Sequence, residues 1–287
     1  MVTTVTIPKE KTKGVSRADI KDELDRLVLS RIIIDRVRQF VEDPGTDELL
    51  NMGGGTRPAL PPEKVDEMAK AGVGTSGIFT AVEPADLELY RSFMYPPLSM
   101  PDKPEVGVIL VDYNHTGNPV MRYQEGFVSV KAMCPDGKEG WLVLSMPVPT
   151  FYHCLEGNCW GLPKYVADEM TVTPTKAEVI YEGEVRLSLE LTPGPVEEDE
   201  GALRARIAVA MSAVTFHPTK GGACLIRWFG RGGGPPRVAE WQTGMVKVYV
   251  RPEDPWAGLI PANSVTPGFH QRVVGGGGDI IFQKVKG

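Results

Sequence analysis

From Val106 onward the chain is a succession of short runs rich in β-branched and aromatic residues, each closed by a turn signal, and this spacing restricts the fold more than any single residue does. The runs cover residues 106–113, 126–133, 141–148, 176–181, 185–191, 204–216, 223–229, 238–250 and 279–285. Most of the connections between them are too short to hold a crossover helix, so neighbouring runs are expected to pair antiparallel. Pro135-Asp136-Gly137, Tyr181-Glu182-Gly183-Glu184 and Gly275 to Gly278 supply hairpin-style turns. The 32 Gly and 25 Pro among 287 residues are the punctuation such a chain needs, about a fifth of the residues against roughly 12% in an average protein. With 42% hydrophobic residues and no Gly-x-y period, the surplus indicates neither disorder nor collagen.

The part before Val106 reads as helical. Residues 1–14 look like a tail, and Ser16 with Asp19 forms a capping box of the weaker, Asp-bearing kind. Ile20, Leu24, Leu27, Val28, Ile32, Val37 and Val41 then recur mostly at three- and four-residue steps, predicting a helix over 17–42 whose apolar face packs on the core or on another subunit. A Gly- and Pro-rich loop over 51–62 leads to a short helix over 63–71. A third helix is expected from Pro84 through Tyr90 and Met94 to the Tyr95-Pro96-Pro97 stop. The acidic stretch from Val196 to Gly201 is expected to be a solvated loop. The chain thus divides into a helical N-terminal extension over 1–74 and a mainly β domain over 75–287, with no internal repeat.

Composition excludes several classes of function. Four cysteines are too few for a disulfide scaffold, the N-terminus lacks the apolar core of a signal peptide, and no run approaches the ~18 apolar residues of a membrane span. A net charge of −6 without a basic block argues against nucleic acid or anionic membrane as a partner. A soluble cytoplasmic protein with reduced thiols is the expectation. The Gly230-Arg231-Gly232-Gly233-Gly234 cluster leads into Pro235-Pro236 and a strand-like run rather than a helix, so it is no phosphate loop. His153, Cys154 and Cys159 lie within seven residues, but the spacing is no standard zinc pattern; buried free cysteines explain it better, and neither a metal nor an organic cofactor is expected.

Lys164 is the residue with chemical promise. It stands in Trp160-Gly161-Leu162-Pro163-Lys164-Tyr165-Val166, among aromatic and aliphatic residues, beside a Pro that fixes the backbone and a Gly that lets it turn. Burial penalises an ammonium, so a lysine held there would become a free amine able to add to a ketone and form a Schiff base. Taken alone, the residues fit a lysine that snorkels to water at a loop edge at least as well.

This segment resembles the lysine motif of the acetoacetate decarboxylase superfamily, in which Gly-aromatic-Pro-Lys-Lys presents the Schiff-base lysine. Tyr123-Gln124-Glu125 is similar to the family's Tyr-x-Glu, with two strand-like runs between it and Lys164. The stretch from Leu87 to Met94-Tyr95-Pro96-Pro97-Leu98 resembles the family's helix and its exit. Trp241-Gln242-Thr243-Gly244 followed by Asp254-Pro255 and Leu259-Ile260-Pro261 resembles its closing strand and turn. The resemblance covers residues 75–285. It implies a double-layered, cone-like antiparallel β barrel with flanking helices, a closed apolar pocket and homo-oligomeric assembly.

It also implies roles. Lys164 is the Schiff-base lysine and Glu125 a proton carrier, with Tyr123, Tyr165, Trp160 and Met146 lining the substrate pocket, although core packing alone would also bury such residues. The family's second lysine is replaced by Tyr165, and the arginine that holds the substrate carboxylate has no counterpart in Thr75-Ser76-Gly77-Ile78-Phe79-Thr80. These departures favour a lyase that uses the Schiff base of a keto acid or related carbonyl compound for aldol addition and dehydration, a chemistry that the superfamily often places in secondary metabolism. A β-keto acid decarboxylase and a non-catalytic binding protein for an apolar carbonyl ligand are the alternatives.

Overall fold

The computed structural model describes residues 50–51, 61–114, 123–207, 213–219, 222–231, 237–274 and 279–285. The helix expected over 17–42, most of the loop expected over 51–62, and the Gly275 to Gly278 turn lie outside these residues.

The strands are β1 (Leu50–Asn51), β2 (Gly74–Val82), β3 (Val106–Asn114), β4 (Tyr123–Met133), β5 (Glu139–Val148), β6 (Lys164–Val166) and β7 (Glu169–Val172), followed by β8 (Lys176–Tyr181), β9 (Glu184–Pro193), β10 (Ala213–Thr219), β11 (Gly222–Arg231), β12 (Arg237–Val250), β13 (Val265–Val274) and β14 (Asp279–Lys284). The helices are α1 (Pro62–Lys70), α2 (Leu87–Ser92), α3 (Phe151–Cys159) and α4 (Glu200–Arg206). The strands form a single sheet in the order β1-β14-β11-β10-β5-β4-β3-β2-β13-β12-β9-β8-β7, with β6 added beside β5. The fold is mainly β with few helices, as expected. The barrel is not closed: β1 and β7 end the sheet without pairing to each other.

The sheet instead folds back on itself. β7 and β8 pack across β2, and β7 also touches β3 and β4, so two layers enclose a core. Ile78, Leu110, Val128 and Val130 point into the space between the layers with Leu187, Leu189, Val246 and Val248. Alternate residues of the same central strands, Phe79, Ile109, Phe127 and Phe269, face the opposite side and gather Trp141, Met146, Trp160, Leu162 and Leu203. Side chains of a strand alternate between faces, so a strand buried on both sides must be apolar at successive positions. Val106 to Val111 is such a run, Phe127 to Val130 is another interrupted by the buried Ser129, and each fully buried Val, Leu, Ile or Phe among them contributes about 1.5–3 kcal/mol.

Pairing is antiparallel except at β5, whose neighbours β6 and β10 run parallel to it. The reason is local: α3 forms the crossover between β5 and β6, a helix the sequence does not announce because Cys, His, Asn and Gly fill it. Two further differences have similar causes. The run at 204–216 is split, since Asp199 caps a helix by accepting from Gly201 and Ala202 N–H, both at 3.0 Å, and Ala, Leu and Arg continue it as α4 before β10 starts at Ala213. The acidic stretch before it is accordingly part cap, and Glu198 pairs with Arg206 at 2.9 Å. The third helix starts at Leu87 rather than Pro84 because Asp86 accepts from Leu89 N–H at 2.9 Å. β2 escapes the sequence pattern because Gly74 and Gly77 interrupt it.

One buried group of the fold gives a pH dependence. His270 is 1% exposed, its Nε2 lies 2.9 Å from Ser76 Oγ, and burial holds its pKa below the ordinary value, with Arg272 adding to the shift and Glu240 opposing it. The unfolded chain takes up the imidazole proton before the folded one does, so stability falls as pH drops below about 6.5. Urea unfolding between pH 7.5 and 5.5 is expected to show this decline, and to show less of it in a His270→Gln variant.

Candidate active site

Lys164 is aimed by the end of α3. Thr150 caps the start of that helix, accepting from His153 N–H at 3.3 Å. At the other end Leu162 N–H donates to Gly157 O at 3.1 Å and Gly161 N–H to Asn158 O at 3.0 Å, the paired bonds of a Schellman stop. Gly161 takes the left-handed conformation this stop requires, φ 77°, with the Phe216 carbonyl where a Cβ would stand. The chain then reverses into β6, where Lys164 sits opposite Met146 of β5. The Lys164 carbonyl is held from the helix by Cys154 Sγ at 3.3 Å and Asn158 Nδ2 at 3.1 Å.

The side chain runs over Gly157, where an added Cβ would collide with its Cγ, Cδ and Cε. It ends with Nζ 2.5 Å from Oε1 of Glu125, and the two side chains are only 8% and 4% exposed. Burial pushes the Glu125 carboxyl above the ordinary carboxylate range, while the Lys164 charge and hydrogen bond pull the other way. Two groups that can exchange a proton thus share a nearly water-free position.

Glu125 shares its face of β4 with Tyr123. Tyr123 stacks between Tyr113 of β3, ring centroids 4.8 Å apart, and His153 of α3, at 4.4 Å. His153 Nδ1 lies 2.7 Å from Thr150 Oγ1. The Tyr113 phenol is held well above its ordinary pKa, by burial first and then by the Glu125 carboxylate. It stays a hydrogen-bond donor over the whole neutral range. Burial also raises the Cys154 thiol, which keeps it protonated rather than nucleophilic.

Of the six residues singled out from sequence, Lys164 and Glu125 therefore meet directly and Tyr123 stands on the same strand face as Glu125. Met146 and Trp160 belong to the buried cluster on this side of the sheet. Tyr165 points the other way, as the neighbour of Lys164 in a strand must. Its ring packs edge-on to Tyr181 with centroids 5.2 Å apart and lies 4.1 Å from the Arg186 guanidinium carbon. Arg186 in turn forks onto Asp254 at 2.5–3.0 Å. Burial pushes the Tyr165 phenol up to about 12, with Arg186 opposing.

Sequence reasoning overlooked Tyr113, the stacking role of His153, and Gly157. A glycine inside a short helix, seven residues before the lysine, was the one available signal for the last. The stretch Thr75 to Thr80, which lacks a basic residue, lies within β2, with Gly77 two strands from Glu125 and Ser76 bonded to His270 on the other face. Among the described residues no group of three or more His, Cys, Asp or Glu could hold a metal ion, and no helix is long and apolar enough to cross a membrane. A groove of about 710 Å³ on β8, β9 and β12, lined by Glu190, Lys247, Tyr249 and Asn263, shares no residue with the surroundings of Lys164.

The folded-back, largely antiparallel sheet is of the kind seen in acetoacetate decarboxylase and related enzymes. The acetoacetate decarboxylase (ADC) family matches residues 56–283, and the chain belongs to it. No curated protein matches the sequence significantly. Among solved structures, acetoacetate decarboxylase from Legionella pneumophila subsp. pneumophila strain Philadelphia 1 superposes with a TM-score of 0.53 at 15% identity, covering 75% of this chain and 86% of its own. The enduracididine biosynthesis enzyme MppR in complex with pyruvate gives 0.52 at 14% identity, covering 74% and 89%. MppR bound to the condensation product of pyruvate and imidazole 4-carboxaldehyde gives 0.52 at 13%, covering 82% and 98%. At these identities the likeness is one of fold.

Proposed function

We propose that this protein is a Schiff-base lyase that condenses a keto acid with a second carbonyl compound through Lys164, by aldol addition and dehydration. The observation that carries this reading is the 2.5 Å contact between Lys164 Nζ and Glu125 Oε1 in a nearly dry site. A lysine must lose a proton before it can attack a carbonyl carbon, and a carboxylate whose pKa is raised by burial is a suitable acceptor. Glu125 gives this proton to the carbinolamine hydroxyl, which leaves as water and gives an iminium. The iminium withdraws electrons from the adjacent carbon, Glu125 removes a proton there, and the resulting enamine adds to the second carbonyl. Glu125 returns that proton to the oxygen of the second carbonyl, which becomes a hydroxyl. It then takes the remaining proton from the same carbon and delivers it to the hydroxyl, which leaves as water as the carbon–carbon double bond forms, and hydrolysis of the imine frees Lys164.

Two further facts support condensation over decarboxylation. The stretch Thr75 to Thr80 has no basic residue to orient a departing carboxylate. MppR, which shares the fold, is known with pyruvate and with a pyruvate condensation product bound. The test is reductive trapping. Borohydride with pyruvate is expected to leave one reduced pyruvate on Lys164, located by peptide mass spectrometry, and none in Lys164→Met. Absence of an adduct with any keto acid would sink the proposal and leave a binding protein; an adduct accompanied by stoichiometric carbon dioxide release from acetoacetate would move it to decarboxylation.

A further inference from the structure

The row of residues that crosses the sheet from Glu125 has a polar far end. Glu125 of β4 pairs in register with Val111 of β3, Val111 with Gly77 of β2, Gly77 with Gln271 of β13, and Gln271 with Trp241 of β12. Residues directly opposite one another share a face, so Gln271 and Trp241 lie on the same face as the Lys164–Glu125 pair. Three strand spacings separate Gln271 from Glu125, about 14 Å along the sheet, and the curl of the sheet shortens the straight path.

Gln271 Oε1 and Trp241 Nε1 are both buried and have no hydrogen-bond partner among the described residues. Buried polar atoms are nearly always paired, because leaving one unpaired costs free energy, and exceptions mark places completed by something else. Of the seven such atoms among the described residues, which include Glu125 Oε1 beside Lys164, these two are cross-strand neighbours, one an acceptor and the other a donor. The indole is also fixed in direction. It stacks on Phe269 with ring centroids 4.4 Å apart, and the Arg204 guanidinium of α4 lies 5.6 Å from its ring.

We propose that Gln271 and Trp241 form a polar subsite at the far end of the row that starts at Glu125, where they bind a neutral group presenting a donor and an acceptor side by side, a primary carboxamide being the simplest. The carboxamide N–H would donate to Gln271 Oε1 and its oxygen would accept from Trp241 Nε1. A carboxylate fits less well, since it has no hydrogen to offer Oε1. The assignment of this group to the second substrate of Lys164 rests on the function proposed above; the binding itself does not.

Calorimetry on the full chain with benzamide, N,N-dimethylbenzamide and benzoate separates these points. Benzamide is expected to bind, with the other two at least about tenfold weaker, and Gln271→Leu and Trp241→Phe should each weaken benzamide about tenfold. Both variants should also raise Tm by about 2–4 °C, because each removes an unpaired buried polar atom, whereas loss of a purely structural contact would lower it. No benzamide binding, equal binding in the variants, or preference for benzoate overturns the proposal. The borohydride adduct is read separately: an adduct without benzamide binding removes the distal site alone, and benzamide binding without an adduct supports the distal site while removing the Schiff-base reading.

Discussion

A Glu125→Gln variant is expected to lose about 10²–10⁴-fold in kcat for condensation, the usual contribution of one positioned acid–base group. The pH profile should change with it. Burial holds the Glu125 carboxyl above its ordinary pKa, so the wild-type rate should climb with pH on an acid limb that lies above the usual carboxylate range of about 4.3. The carboxamide that replaces the carboxyl in the variant has no proton to lose there, and its rate profile should lack that limb. Stability gives a second reading of the same pair. Removing one partner leaves a charge buried at 8% exposure without its counter-charge, which costs about 3–5 kcal/mol, while an apolar replacement of both is near neutral. Urea unfolding should therefore find Glu125→Gln strongly destabilised and Glu125→Leu with Lys164→Met close to wild type. If the two variants prove equally stable, the pair is not held as a buried ion pair.

Gly157→Ala is expected to separate activity from stability. In an ordinary helix interior the change adds about 1 kcal/mol of stability. At this position the new methyl would occupy the path of the Lys164 side chain, with the lysine Cγ only 2.7 Å away. The lysine is a flexible chain, so it yields and the helix does not, and its Nζ leaves the position beside Glu125. A displacement of about 1 Å is enough to cost about 10²-fold in rate. The prediction is a folded protein that loses less stability than Glu125→Gln, since the helix gain offsets part of the disturbed ion pair, and at least about a hundredfold slower adduct formation with pyruvate and borohydride. A variant that traps pyruvate at the wild-type rate would show that Gly157 does not set the path of the lysine.

Much of the β domain was legible in the chain itself. The short apolar runs are strands where the structure describes them, and the turn at Glu182-Gly183 joins β8 to β9 with both residues at positive φ, 56° and 77°, as a tight hairpin demands. Where reading failed, two signals competed. The run at 204–216 has β-like residues at its end, but Asp199 supplies a cap and Ala202, Leu203 and Arg204 prefer a helix, so the first part was claimed by α4. α3 was illegible for the opposite reason: its residues are poor helix formers, and it exists because Thr150 and Gly161 close both ends and the strands it joins fix its length.

The same division runs through the site. Gly161, Pro163 and Lys164 are close neighbours, so the turn that aims the lysine could be derived from local backbone chemistry. The contact with Glu125 could be anticipated only from family resemblance, because 39 residues and a folded sheet separate the two. Tyr165 illustrates the limit most plainly. Adjacency in sequence suggested that it takes the place of a second lysine beside Lys164, yet successive residues of a strand face opposite ways, and its ring packs against Arg186 and Tyr181.

By itself the sequence determined what depends on near neighbours: which segments are strands, where turns fall, and that a lysine is presented by a Gly- and Pro-shaped bend. Tertiary structure alone decided which face each of those residues turns to, whether the curled sheet closes, and which distant side chains share a buried row. Glu125, Gln271 and Trp241 lie on three strands, and only strand register could align them. Register is set by how alternate side chains fill a common core, a condition on the whole sheet that no single segment contains.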